Sequence, residues 1–161
     1  MSKINWTSFT RKININASKN SILNAWLSQD EIEKWFLSNA QFFDGDKLVD
    51  RYSKIAKGNT YKWSWHTSDV LAEGEVIDVG EDELTFTFVG CSVKVSVSAA
   101  GGENILELTQ SNISTDEETK MGTYLECTRG WTFYMTNLKS VLEGGLDLRN
   151  KNDKLKDMLS T

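Results

Sequence analysis

The stretch "CTRGWTFYMTNLKSVLEGG", residues 127–145, crowds Trp131, Phe133, Tyr134 and Met135 into a segment that otherwise reads as an ordinary amphipathic helix. Projected at about 100° per residue, Tyr124, Cys127, Trp131, Tyr134, Met135, Leu138, Val141 and Leu142 fall into one stripe wide enough to face a core. Arg129, Thr132, Thr136, Asn137, Lys139 and Ser140 fall outside it, and Phe133 points nearly opposite Trp131. Gly144 follows the last periodic residue and suits a left-handed helix terminus. A helix with so broad an apolar face needs a large partner surface, and the rest of the chain must supply it.

Upstream the period changes from helical to alternating. In "FTRKININA" (residues 9–17), Phe9, Arg11, Ile13 and Ile15 share one side and Thr10, Lys12, Asn14 and Asn16 the other, the pattern of a half-buried strand. Two short helices follow. Ser18 caps the first, which aligns Ile22, Leu23, Trp26 and Leu27. Ser28 with Glu31 forms a capping box for the second, which aligns Ile32, Trp35 and Phe36.

A run of strands comes next. "AQFFDGDKLV" (40–49) carries an Asp44-Gly45 turn, and "TYKWSWH" (60–66) sets Tyr61, Trp63 and Trp65 against Lys62, Ser64 and His66. "LAEGEVIDVG" (71–80) is interrupted by Gly74, where a bulge or the close approach of another backbone is expected. Leu84, Phe86 and Phe88 align in the next strand, Val93, Val95 and Val97 in the one after. Gly101-Gly102 turns the chain into a last strand through Leu106 and Leu108. Short turns between successive strands predict an antiparallel meander. Helices gathered against one face of such a sheet make an α+β domain. We expect it to span residues 1–148, with 149–161 as a tail or a short helix through Leu155, Met158 and Leu159.

The order of elements resembles the helix-grip fold of the START-like (SRPBCC) superfamily: a curved antiparallel sheet of about six to seven strands around a long C-terminal helix, with two short helices after the first strand. "EIEKWF" (31–36) and "GWTFYMTNLKSVLEGGLDLR" (130–149) are similar to signatures of the branch that includes the C-terminal domain of the activator of heat shock protein 90 ATPase. "AEGEVIDVGEDELTFTF" (72–88) resembles that branch's central strand pair. The resemblance runs over roughly residues 9–148. It implies an apolar cavity between the last helix and the sheet, but no single activity, because relatives of this fold include ligand carriers, cyclases and co-chaperone domains.

Composition narrows the functional classes. A formal net charge of -5, with no basic cluster longer than a pair such as Arg11-Lys12, argues against nucleic acid as a partner. No long uncharged apolar run marks a membrane span, and "MSKINWTSFTRK" has no signal-peptide pattern, so the cytoplasm is the expected location. Cys91 and Cys127 read as separate reduced thiols. His66 has no second histidine for a metal and no nucleophile motif beside it, and it reads as a solvated side chain. "DGDKLVD" (44–50) reads as a hairpin turn and not a calcium loop. Neither a catalytic residue, nor a metal site, nor a cofactor is indicated.

What remains is the aromatic set. Trp63, Trp65, Phe86 and Phe88 on the strands face Tyr124, Trp131, Tyr134 and Met135 from the helix region, and these eight either fill the core or line a ligand cavity. The leading expectation is non-enzymatic binding of a small apolar or aromatic ligand. A co-chaperone-like domain acting on a heat shock protein 90 homologue is the alternative, and an enzyme of cyclase or hydrolase type a further one. The expected assembly is a monomer, or a homodimer paired through exposed sheet edges.

Overall fold

In the computed structural model, which describes residues 3–160, the alternation of the first strand is realised as β1 (Phe9–Ile15), with Phe9 and Ile15 fully buried at its ends. Two one-turn helices follow: α1 (Lys19–Asn24) and α2 (Gln29–Glu33). Both predicted caps form. Ser18 Oγ accepts from the Ser21 N–H at 3.1 Å, and Ser28 Oγ accepts from the Glu31 N–H at 3.3 Å. Only half of the capping box closes, because the Glu31 carboxylate turns away to the Lys34 ammonium at 2.6 Å.

The remaining strands are β2 (Asn39–Asp44), β3 (Lys47–Leu48), β4 (Thr60–Ser64), β5 (Leu71–Val79), β6 (Glu83–Phe88), β7 (Cys91–Ala100) and β8 (Glu103–Ser111). They form one sheet in the order β1-β8-β7-β6-β5-β4-β2-β3, antiparallel at every pairing. The expected meander holds only from β4 to β8: β1 crosses to pair with β8, and β2 lies between β3 and β4. Among the described residues there are eight strands, above the six to seven expected. The two-residue β3 pairs Phe43 with Leu48 and Asp44 with Lys47, completing the Asp44-Gly45 hairpin as an additional strand.

Gly74 on β5 stands opposite Tyr61 on β4. The Tyr61 ring lies directly over it, and a Cβ at that position would overlap the phenol. The approach expected at Gly74 is thus made by a side chain and not by backbone. Crossing β5 in this way, Tyr61 donates its hydroxyl hydrogen to the Thr87 carbonyl on β6. The bulge lies further along, where the β5–β6 register shifts between Val76 and Asp78.

The last helix begins with α3 (Glu117–Thr119), capped by Asp116 Oδ1, which accepts from the Thr119 N–H at 2.8 Å. It continues through a π-helical turn (Lys120–Tyr124) into α4 (Leu125–Leu142). Trp131, Tyr134, Met135 and Leu138 are buried as the stripe predicts, and Gly144 ends the helix with φ 81°. Tyr124, Cys127, Val141 and Leu142 are half-buried against the core. Phe133 sits half-buried at the stripe's margin, its ring edge-on to Tyr134 at 5.1 Å.

Asn137 corrects the helical projection. Placed outside the stripe by its angle, it is fully buried. Its Nδ2 donates to the Trp35 carbonyl at 2.7 Å and to Asp147 Oδ1 at 3.0 Å, and its Oδ1 accepts from the Leu148 N–H at 2.7 Å. Arg149 is also buried. It donates to the Leu37 and Glu33 carbonyls, each at 3.0 Å, and pairs with Asp147 at 2.7 Å. The chain after α4 is thereby pinned beneath the α2 region. From there to Ser160 it runs in turns without a helix, leaving Leu155, Met158 and Leu159 exposed.

Candidate functional site

The first half of α4, the segment after β4 and the β6–β7 turn do not close on one another. Between them lies an open cavity of about 480 Å³. Its inner wall is a ring of five aromatic side chains: Phe36, Trp65, Phe88, Trp131 and Tyr134. Successive ring centroids are close: Phe36 to Tyr134 at 4.8 Å, Phe36 to Trp131 at 5.2 Å, Phe88 to Trp131 at 5.3 Å, Phe36 to Trp65 at 5.7 Å and Trp65 to Phe88 at 6.2 Å. All five pairs are tilted or edge-on, the arrangement the aromatic quadrupole favours.

The eight residues expected at the site divide three ways. Trp65, Phe88, Trp131 and Tyr134 face the cavity. Trp63, Phe86 and Met135 are buried behind it as core: Trp63 stacks on Tyr61 at 3.8 Å, and Phe86 packs against Trp26 and Trp63. Tyr124 turns toward the start of the chain, edge-on to Trp6 at 5.0 Å and Phe9 at 5.4 Å. Trp63 and Trp65 share a strand face in the alternation, so the pattern could not separate them. The separation arises because β4 ends at Ser64 and Trp65 swings out into the following loop.

The sequence places Phe36 only on a short helix's stripe, yet it touches three of the other cavity rings, Trp65, Trp131 and Tyr134, and from behind the core ring Trp63. Gln110 on β8 was also missed. It is fully buried, and its Oε1 accepts from Trp131 Nε1 at 2.9 Å, fixing the plane of the indole that forms the cavity floor. A glutamine among alternating apolar residues was the available signal, since a buried amide needs a partner.

The polar groups at the site leave it uncharged inside. Burial pushes the Tyr134 phenol up to about 12 and raises the Cys127 thiol, so both are neutral at ordinary pH. At the mouth, Arg129 pairs with Glu126 at 2.6 Å, one turn apart on α4, and the two charges cancel. His66 lies beyond the cavity lining. Burial lowers its pKa, and the nearby Arg149 and Lys151 lower it further. Among the described residues no group of three or more His, Cys, Asp or Glu side chains could hold a metal ion. Nor is any helix there long and apolar enough to cross a membrane.

Among the described residues, four other than glycine adopt positive φ: Thr67, Val89, Asn112 and Asp157. Asn and Asp tolerate that region, whereas β-branched residues are strained in it. The two β-branched ones both flank the mouth. Val89 lines it from the β6–β7 turn, and Thr67 lies in the opposing segment between the lining residues Trp65 and Ser68.

Comparison with protein families finds a match over residues 16–143 to the model described as "Activator of Hsp90 ATPase homolog 1-like protein". No curated protein sequence matches. Many solved structures share the fold at low identity. One, the Aha1 dimer from Colwellia psychrerythraea, is 17% identical with a TM-score of 0.67, covering 86% of this chain and 97% of that one. A protein from Staphylococcus saprophyticus is 15% identical, again with a TM-score of 0.67, covering 88% and 96%. CalU16 from Micromonospora echinospora is 18% identical with a TM-score of 0.64, covering 86% and 76%. At these identities the likeness is one of fold.

Proposed function

The chain belongs to the family of activator of Hsp90 ATPase homolog 1-like proteins, and from that premise we propose that it is a non-enzymatic binding domain whose cavity takes up a small apolar ligand. The observation that carries this reading is the ring of Phe36, Trp65, Phe88, Trp131 and Tyr134 around about 480 Å³ of open space. That volume lies within the range of roughly 300–1,000 Å³ typical of small-molecule sites, and an apolar lining with few polar groups is their usual composition. Each Å² of apolar surface withdrawn from water contributes about 25 cal/mol. No nucleophile paired with a base lines the walls, which favours binding over turnover.

Native mass spectrometry of the purified protein, followed by titration with a fluorescent apolar probe, tests the proposal. A retained small molecule, or saturable probe binding abolished by Trp65→Ala, is the expected result. Binding at no more than a nonspecific level in both the parent and the variant would refute it.

The family match favours a second reading, that the domain docks on a heat shock protein 90 homologue. Stimulation of such a protein's ATPase by the purified chain would support it. Absence of both stimulation and pull-down would remove it. The same mass spectra distinguish a monomer from a homodimer, the state in which the Colwellia relative was solved.

A further inference from the structure

Building on the cavity reading above, we propose that the ligand is a flat, uncharged aromatic ring system, and that Val89 is the residue that closes over its outer edge. The first support is the wall. All five inner side chains are aromatic, with centroid spacings of 4.8–6.2 Å between successive rings. Aliphatic side chains enter the lining only at the mouth, as Val70 and Val89. A flat ring system entering such a slot gains edge-to-face and offset contacts on several sides in addition to area burial. A saturated chain of the same size gains only the burial.

The second support is charge. The cavity's phenol and thiol are neutral, and the one cation at its mouth, Arg129, is held by Glu126. Glu126 and Arg129 both line the opening and pair with each other, so an ionised ligand of either sign would meet a like charge beside the opposite one. Neither sign is favoured, and an ionised ligand would lose its hydration on entering an apolar chamber.

The third is Val89 itself. With Gly90 it makes a two-residue hairpin turn, φ 51° and 72°, between paired Phe88 and Cys91. Turns of this kind strongly prefer Asn-Gly, because the first residue must also adopt positive φ. Val is among the least suitable choices for that backbone. Core packing does not explain its presence, since the residue is 53% exposed. Its side chain lies on the cavity mouth. Strained residues of this kind cluster at active sites and ligand clamps.

The test compares three probes on the intact protein by tryptophan fluorescence and calorimetry: anthracenol, myristyl alcohol with the same number of carbons, and anthracene carboxylate. Anthracenol is expected to bind about tenfold more tightly than either of the others. Equal or tighter binding of myristyl alcohol overturns the ring-system proposal while leaving cavity binding intact, and equal or tighter binding of the carboxylate overturns the requirement for neutrality. Failure of all three to bind overturns both this inference and the cavity reading. Val89→Asn is expected to raise the thermal midpoint by roughly 2–4 °C and to weaken anthracenol about fivefold. Val89→Gly, which accepts the same backbone without a side chain, should weaken anthracenol similarly. Unchanged affinity in both variants, or a lower midpoint in Val89→Asn, overturns the role assigned to Val89.

Discussion

Asn137 Nδ2 donates to the backbone carbonyl of Trp35 across 2.7 Å, joining the middle of the last helix to the turn that follows the second short one. The same amide accepts from the Leu148 N–H and donates to Asp147. One buried side chain therefore holds together 31–36 and 130–149, two of the three segments that carry the family resemblance.

Replacing Asn137 with Ala strands the Trp35 carbonyl and the Leu148 N–H. Each buried polar group left without a partner costs about 1–3 kcal/mol. We expect a loss of roughly 2–4 kcal/mol in urea unfolding, with faster proteolysis in the segment after residue 145. A loss no greater than that of an exposed Asn→Ala control would show the amide to be dispensable.

Acid stability should follow Asp147. Burial by itself would raise this carboxyl. The Arg149 guanidinium, Lys151 and the Asn137 amide outweigh burial and hold it well below its ordinary value of 3.8. A group whose folded pKa is depressed stabilises the fold above its unfolded pKa, and that contribution fades as pH falls through 3.8 toward the folded value. The drop in thermal midpoint between neutral pH and pH values below 3.8 should be clearly smaller in Asp147→Asn, whose midpoint at neutral pH is already reduced.

Trp63 and Trp65, two residues apart, should respond oppositely to truncation. Trp63→Ala opens a hole in the core and should cost about 3–5 kcal/mol. Trp65 is only partly buried at the cavity wall, so Trp65→Ala should cost roughly 1 kcal/mol while abolishing ligand binding. Denaturant unfolding paired with probe titration reads both. Equal stability losses would mean that the wall and the core are not separate.

Gly74→Ala should be disruptive for its size, because the new Cβ would overlap the Tyr61 phenol, which is itself held to the Thr87 carbonyl. Overpacking of this kind costs about 1–3 kcal/mol. In a Tyr61→Leu background the additional cost should nearly vanish. A double-mutant cycle measures the coupling directly.

Much of this was legible in the chain. The change from alternating to helical period at residue 17, and back again by residue 40, marks the short helices. The stripe through Trp131, Tyr134, Met135 and Leu138 marks the buried face of α4. Asn137 was misassigned because angle around a helix ranks hydrophobic exposure but is blind to a polar partner arriving from Trp35 or Leu148. Gln110 and Phe36 were passed over for a related reason. Their roles rest on Trp131, 21 residues from Gln110 in sequence and much further from Phe36. Trp63 and Trp65 were indistinguishable until the end of β4 separated them.

By itself the sequence determined most of the elements, their order along the chain, the antiparallel run of β4 to β8 and the aromatic character of the interior. Period, capping residues and turn residues act over a few neighbours, and the chain alone states them. Only the tertiary structure decided which aromatic side chains fill the core and which face open space. It also decided that Arg149 is buried and that a valine sits in a left-handed turn beside the opening. Those outcomes depend on how far α4 closes on a twisted sheet, a balance of contacts between residues distant in the chain that no local pattern encodes.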